Sequence, residues 1–152
     1  MPDPIRPSPD PVALALAEDI GSGDLTCAYF VDAARSGKAR IFAKQPCVLA
    51  GSETAARAFD LVDATLDVRI VRTDGDSLLP GDTAIEISGP VRGILTAERT
   101  ALNFIQQLSG VATLTRAFVE AVKPHRARIL DTRKTTPGLR ALEKAAVVAG
   151  GG

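Results

Sequence analysis

The stretch from Thr96 to Val122, T-A-E-R-T-A-L-N-F-I-Q-Q-L-S-G-V-A-T-L-T-R-A-F-V-E-A-V, constrains the fold more than any other part of the chain. Leu102, Ile105, Leu108, Ala112 and Val119 make one apolar stripe at helical spacing, and Phe104, Val111, Phe118 and Val122 make a second. A helix apolar over so much of its circumference has to be buried between two bodies. One body must precede it in the chain and another must follow. Thr96 is expected to cap its start, and Ser109 with Gly110 is expected to kink it or break it into a helix-turn-helix. Arg99, Asn103 and Gln106 share one polar face, which reads either as an ordinary exposed stripe or as a face that turns Arg99 toward a subunit interface or an anionic site.

The preceding body reads as a mixture of helices and short strands. Met1 to Pro11 alternates proline with polar residues and predicts an extended arm. Val12, Ala15, Leu16 and Ile20 then fall at helical spacing, with Pro11 in the first turn and Gly21 and Gly23 at the end. The glycine-rich G-S-G-D-L-T that follows reads as a polar turn. Lys38 to Lys44 predicts a strand with Ala39, Ile41 and Ala43 on one face, continued by Cys47 to Ala50 after Pro46. A helix is expected from Ser52, as N-cap, with Ala55, Ala58, Phe59 and Val62 inward. Asp67 to Arg72, Ala84 to Ser88 and Val91 to Leu95 read as further strands. This is an α+β pattern, a sheet with one face covered by helix. The D-G-D and P-G-D turns are similar to those of biotin- or lipoate-carrying β-sandwiches, but Thr73 to Asp76 contains no lysine to modify, so a carrier role is set aside.

The following body begins with I-L-D-T-R-K-T-T-P-G-L, Ile129 to Leu139. Arg128 to Leu130 predicts a strand, and Thr136 with Pro137 predicts the start of a helix whose inner face is Leu139, Leu142, Ala146 and Val147. Between them stand Asp131, Thr132, Arg133 and Lys134. Arginine offers a planar fork that grips a carboxylate through two parallel hydrogen bonds, and lysine offers a compact point charge. Flanked by the hydroxyls of Thr132, Thr135 and Thr136, the pair suits a small ligand rich in carboxylate or phosphate oxygens. A solvated basic turn would use the same residue types.

Composition narrows the classes. The 152 residues carry no net formal charge, which gives no bulk attraction to nucleic acid or membrane, although basic residues concentrate toward the end of the chain. Cys27, Cys47 and the single His125 are too scattered for a zinc or redox motif, and both cysteines are expected to be reduced and structural. No stretch has the character of a secretory signal or a membrane span, so a cytoplasmic location is expected.

Three segments carry a family resemblance: E-D-I-G-S-G-D-L-T at Glu18 to Thr26, A-E-R-T-A-L-N-F-I-Q-Q-L-S-G-V-A-T at Ala97 to Thr113, and D-T-R-K-T-T-P-G-L-R-A-L-E-K-A-A-V-V-A-G-G-G at Asp131 to Gly152. Together they resemble quinolinate phosphoribosyltransferase, in the family's order and over essentially the whole chain. The resemblance implies an N-terminal α/β sandwich joined by a long helix to the first strand and helix of a truncated α/β barrel. The corresponding divisions are an arm over 1–11, a sandwich domain with the linking helix over 12–122, and the start of the barrel over 123–152.

It also implies an activity. The family joins quinolinate to phosphoribosyl pyrophosphate with Mg2+, giving nicotinate mononucleotide, carbon dioxide and pyrophosphate in NAD synthesis. It does so in homodimers whose sites are shared between subunits. Arg133 and Lys134 match the cations that bind the quinolinate carboxylates, with Thr132 beside them, and Arg99 matches the arginine contributed across the dimer interface. In relatives an N-H-R segment, a lysine and acidic residues follow the glycine run and bind ribose, pyrophosphate and magnesium. The 152 residues alone are therefore expected to hold half of the acid pocket and to be inactive. Two other readings stand beside the enzyme: a non-catalytic dimerisation fragment, and the pyrophosphorylase-like protein associated with molybdate transport, against which the intact D-T-R-K-T-T-P-G-L-R run leans.

Overall fold

A computed structural model describes residues 10–152. The expected arm therefore lies outside the described residues except for its last two, and these start the first helix. Pro11 occupies the first turn of α1 (Pro11–Ile20), while the Asp10 carboxylate caps it by accepting from the Val12 amide at 2.9 Å. Asp10 also pairs with Arg57, which fastens the start of α1 to a later helix. Gly21, at φ 53°, stops α1 in a conformation that side chains resist.

The next segment departs from expectation, because D-L-T-C-A-Y-F is not simply a turn. Asp24 accepts from the Cys27 amide and caps a short helix, α2 (Leu25–Phe30). Then come β1 (Ser36–Phe42), β2 (Cys47–Val48), α3 (Ser52–Val62), β3 (Asp67–Ile70), β4 (Ser77–Leu78) and β5 (Thr83–Pro90). A three-stranded antiparallel sheet has the order β1-β5-β3, and β2 pairs with β4 in a separate two-stranded ribbon. The register sets Ile41 and Ile70 on either side of Ile85, and Ala39 and Val68 on either side of Ile87. These residues form the inner face, as the alternation in β1 and β3 anticipated. The outer face carries Lys38, Arg40, Arg69 and Glu86 to solvent.

α3 is capped differently from the sequence expectation. Ser52 is its first residue rather than its cap, and Gly51 holds the cap position at φ 85°. The cap hydrogen bonds come from far along the chain: Asp74 accepts from the amides of Gly51 and Ser52 at 2.7 and 3.0 Å. The T-D-G-D turn thus closes the helix end.

The long helix, α4, spans Val91–Val122, 32 residues without interruption. Three expectations are corrected here. Thr96 lies inside the helix rather than capping it. Val91 to Leu95 is helix rather than strand, since Pro90 ends β5 and occupies the cap position, and its fixed φ suits a helix entry. Ser109 and Gly110 do not break α4 into two helices. The buried Ser109 hydroxyl instead accepts from the Ala50 amide at 3.0 Å and donates to the Ala50 carbonyl, while Thr113 accepts from the Val48 amide at 2.9 Å. The polar residues that looked like a breach are a docking strip for β2.

Two apolar clusters flank α4, and each takes residues from both of its stripes. The larger joins Leu16, Phe59, Ile85, Ile87, Ala101 and Ile105, so that α1, α3 and α4 cover one face of the sheet. The smaller joins Val48, Ala50, Leu108, Ala112 and Ala146, the last from α5 (Arg140–Ala149). α5 begins at Arg140, three residues later than Pro137 suggested, because Thr136 to Leu139 form a turn that closes through a Leu139 amide to Thr136 carbonyl bond. Arg128 to Leu130 is not assigned as a strand either, since no neighbouring strand pairs with it among the described residues. The result is an α+β arrangement of small antiparallel sheets and covering helices. No helix among the described residues is long and apolar enough to cross a membrane.

Candidate functional site

The loop from Asp131 to Thr136 lies between the end of α4 and α5, and short-range contacts fix its course. Thr132 Oγ1 accepts from the Lys134 amide at 3.1 Å, which turns the backbone tightly between the two cations. Arg140, the first residue of α5, donates to the Arg133 carbonyl at 3.1 Å and to Thr135 Oγ1 at 3.2 Å. Glu143, one turn further on, accepts from the Thr136 amide at 3.2 Å and from Gln107 of α4 at 3.4 Å. Lys144 pairs with Asp131 at 3.0 Å. A loop without strand partners is thereby held to two helices through side chains.

These contacts divide the charges of the loop. Asp131 is neutralised by Lys144, and Arg140 is committed to the backbone. Arg133 and Lys134 enter no salt bridge among the described residues, and both side chains are exposed. A hollow of about 190 Å³ opens beside Lys134, with Asp131, Thr132, Thr135, Glu143 and Lys144 completing its polar side and Val111 and Val147 on its apolar side, while Arg133 stands outside its lining. Lys134, the hydroxyls and an apolar wall, with Arg133 next to Lys134 in the loop, suit a flat ring bearing carboxylates. A wider trough of about 620 Å³ lies over the outer face of the sheet, but Arg69 and Glu86 pair within it, and it reads as a solvated sheet face.

The structure brings Thr132, Arg133 and Lys134 together and leaves Arg99 apart from them. Arg99 lies on α4 twelve residues before Val111, which lines the hollow, or about 18 Å along the helix axis. That is far beyond the reach of its own side chain. Arg99 instead donates to Asp19 of α1 at 2.7 Å, and this contact raises its pKa further. Asn103 and Gln106 are exposed on the same helix, as the polar stripe suggested.

Sequence reasoning missed several members of this arrangement. Asp24 accepts from the Thr96 hydroxyl at 3.0 Å, which ties α2 to the turn of α4 that precedes Arg99. Hydrogen bonds from Cys27, followed by the one from Thr96, hold the Asp24 carboxyl below its usual range. Arg92 donates to the Val31 carbonyl through two nitrogens, at 2.9 and 2.7 Å, and to the Ala28 carbonyl at 3.4 Å. The available signal was the spacing of acids in E-D-I-G-S-G-D, a segment that carried the family resemblance but whose residues read by themselves only as a helix end and a polar turn. Cys27 is buried and Cys47 partly so, both are free, and burial pushes both thiols up. His125 is exposed.

Comparison with known proteins gives consistent matches. The quinolinate phosphoribosyl transferase N-terminal domain matches residues 24–109, and the C-terminal domain of the same family matches residues 111–152. A probable nicotinate-nucleotide pyrophosphorylase (carboxylating) of Bacillus subtilis is 45% identical over 135 residues, covering 89% of this chain and 46% of the relative. The chloroplastic nicotinate-nucleotide pyrophosphorylase of Arabidopsis thaliana is 44% identical over 142 residues, covering 93% and 40%. Among solved structures, NadC from Streptococcus pyogenes superimposes with a TM-score of 0.89 at 46% identity, covering 93% of this chain and 50% of that one. The nicotinate-nucleotide pyrophosphorylase of Francisella tularensis gives 0.87 at 38% identity, covering 93% and 50%. The chain thus spans less than half the length of the curated relatives it matches.

Proposed function

The chain belongs to the quinolinate phosphoribosyltransferase family, and from that premise we propose that its protein joins quinolinate to phosphoribosyl pyrophosphate, releasing carbon dioxide and pyrophosphate and forming nicotinate mononucleotide for NAD synthesis. The observation that carries this reading is the pair of cations that have no acidic partner among the described residues, Arg133 and Lys134, on a loop pinned by Arg140 and Glu143. Quinolinate is a pyridine ring with two adjacent carboxylates. Arg133 takes one through its fork, Lys134 and the Thr132 hydroxyl take the other, and the ring lies against the apolar side of the hollow. The ring nitrogen forms the new bond to the ribose as pyrophosphate departs. Loss of the neighbouring carboxylate as carbon dioxide then leaves its electron pair on ring carbon, and the nearby cations stabilise that charge before a proton replaces it.

The working unit in this proposal is a homodimer. Within one chain Arg99 stands about 18 Å along α4 from the hollow, so it serves a site only by reaching into that of a second copy. The isolated 152-residue chain is inactive in this reading, because Thr132, Arg133 and Lys134 all face solvent, which weakens their electrostatic effect on a developing carbanion. Mg2+ belongs to the proposal as the companion of the pyrophosphate group. No three potential ligands among His, Cys, Asp and Glu converge among the described residues, and no step is assigned to the metal. The reaction is placed in the cytoplasm.

The test uses the protein expressed from its complete reading frame, with quinolinate labelled in the carboxyl group lost from the ring. Release of labelled carbon dioxide in step with nicotinate mononucleotide, dependent on phosphoribosyl pyrophosphate, is expected. A stable dimer that neither binds quinolinate nor releases carbon dioxide would overturn the proposal in favour of an assembly module.

A further inference from the structure

We propose that Asp19 is the positioning residue for Arg99, and that the segment Glu18 to Thr26 is a clamp that presents the Arg99 guanidinium to a carboxylate of the substrate; this rests on the reading of Arg99 given above. Three observations carry it. The first is the contact itself: Arg99 donates through one terminal nitrogen to one oxygen of Asp19 at 2.7 Å. The guanidinium presents five N–H groups, and this end-on contact leaves most of them available to a second anion.

The second is the asymmetry of exposure. The Arg99 side chain is 73% exposed whereas that of Asp19 is 24% exposed, so a seated carboxylate holds a projecting cation. A free arginine at such a position would sample many rotamers, each with its guanidinium elsewhere. Fixing one of them in advance removes an ordering cost from ligand binding.

The third is that the clamp has no local rationale. Glu18 and Asp19 fall in the last turn of α1, where carbonyl dipoles disfavour negative charge, and no basic residue accompanies them. α1 ends immediately afterwards at Gly21, and the chain returns to α4 through Asp24, which accepts from Thr96 one turn before Arg99. Two carboxylates from one short segment therefore grip consecutive turns of α4. Arg92 anchors the far end of α2 to the same helix. Such a grip fixes both the bearing of the helix turn and the direction of the side chain it displays.

The experiment measures steady-state kinetics of the protein from its complete reading frame for Asp19→Ala, Asp19→Asn, Asp19→Glu, Arg99→Ala and the Asp19→Ala/Arg99→Ala pair. Removing a hydrogen bond to a charged group is expected to raise the quinolinate KM of Asp19→Ala roughly tenfold, with the phosphoribosyl pyrophosphate KM unchanged. Asp19→Glu recovers part of the loss, and the double variant is no worse than Arg99→Ala alone. A quinolinate KM within twofold of the parent overturns the proposal. So does an equal rise in both KM values, or a double variant whose losses multiply. If Asp19→Ala does not fold, the isosteric Asp19→Asn carries the same test. A silent Asp19→Ala beside a costly Arg99→Ala overturns the clamp alone. A silent Arg99→Ala removes Arg99 from the site and overturns both readings.

Discussion

Arg133 and Lys134 are placed by other charged residues whose hydrogen bonds are spent within the fold. Arg140 and Glu143 fasten the loop, and Gly150 lets α5 approach α4, since a Cβ there would stand 2.6 Å from the Ala112 carbonyl oxygen. The glycine run after α5 is therefore a packing device as well as a stop. Asp24 shows how one carboxylate can serve two helices. It caps α2 and receives Thr96 of α4, and its pKa is depressed below the ordinary 3.8. The folded chain holds this proton less tightly than the unfolded chain. The contribution to stability is complete above the unfolded value and is lost as pH falls through the folded one. The melting temperature of Asp24→Asn should therefore lie below that of the parent at neutral pH, with the gap narrowing as pH falls below 3.8. A gap that persisted unchanged in acid would count against the cap.

The central element is α4, and its middle illustrates what a sequence can and cannot disclose. Of the apolar stripes of Thr96 to Val122, Phe104, Ile105, Leu108 and Ala112 are buried in the two clusters, whereas Phe118 faces solvent. Serine followed by glycine has low helix propensity, but tertiary contacts override it here because Thr113 and Ser109 satisfy the backbone of Val48 in β2 and of Ala50 just after it. No local pattern encodes a partner 59 residues away. Removing the Ser109 hydroxyl should leave the buried Ala50 amide without an acceptor. Ser109→Ala is expected to cost about 1 to 3 kcal/mol in urea unfolding with an unchanged m-value. A cost near zero would mean that the hydroxyl is not needed to dock the ribbon. The loop cations were legible because arginine and lysine beside hydroxyls have few equivalents. The clamp on Arg99 was not, because acids in a glycine-rich turn are common and their partners lie some 80 residues on.

At the scale of the whole molecule, the described residues leave large apolar side chains exposed on α4, before the loop and on α5. Leu114 and Phe118 on α4, Leu130 before the loop and Val148 on α5 all face solvent. Exposed apolar groups of this size favour association. Sedimentation of the isolated 152-residue chain should show concentration-dependent self-association that a Leu114→Gln/Phe118→Gln variant weakens. A strictly monomeric chain across the micromolar range would remove that expectation. The missing strand at Arg128 to Leu130 belongs to this scale too. Its apolar residues suit a strand, yet pairing depends on neighbours that the described residues do not provide.

The account turns on whether Arg133 grips a carboxylate. Calorimetric titration of quinolinate into the protein from its complete reading frame, and into its Arg133→Ala variant, tests this directly. Loss of one bidentate charged contact should weaken binding by about 1.5 to 3 kcal/mol while the variant melts like the parent. Equal affinity in the two proteins would contradict the assignment of the loop as the acid-binding site.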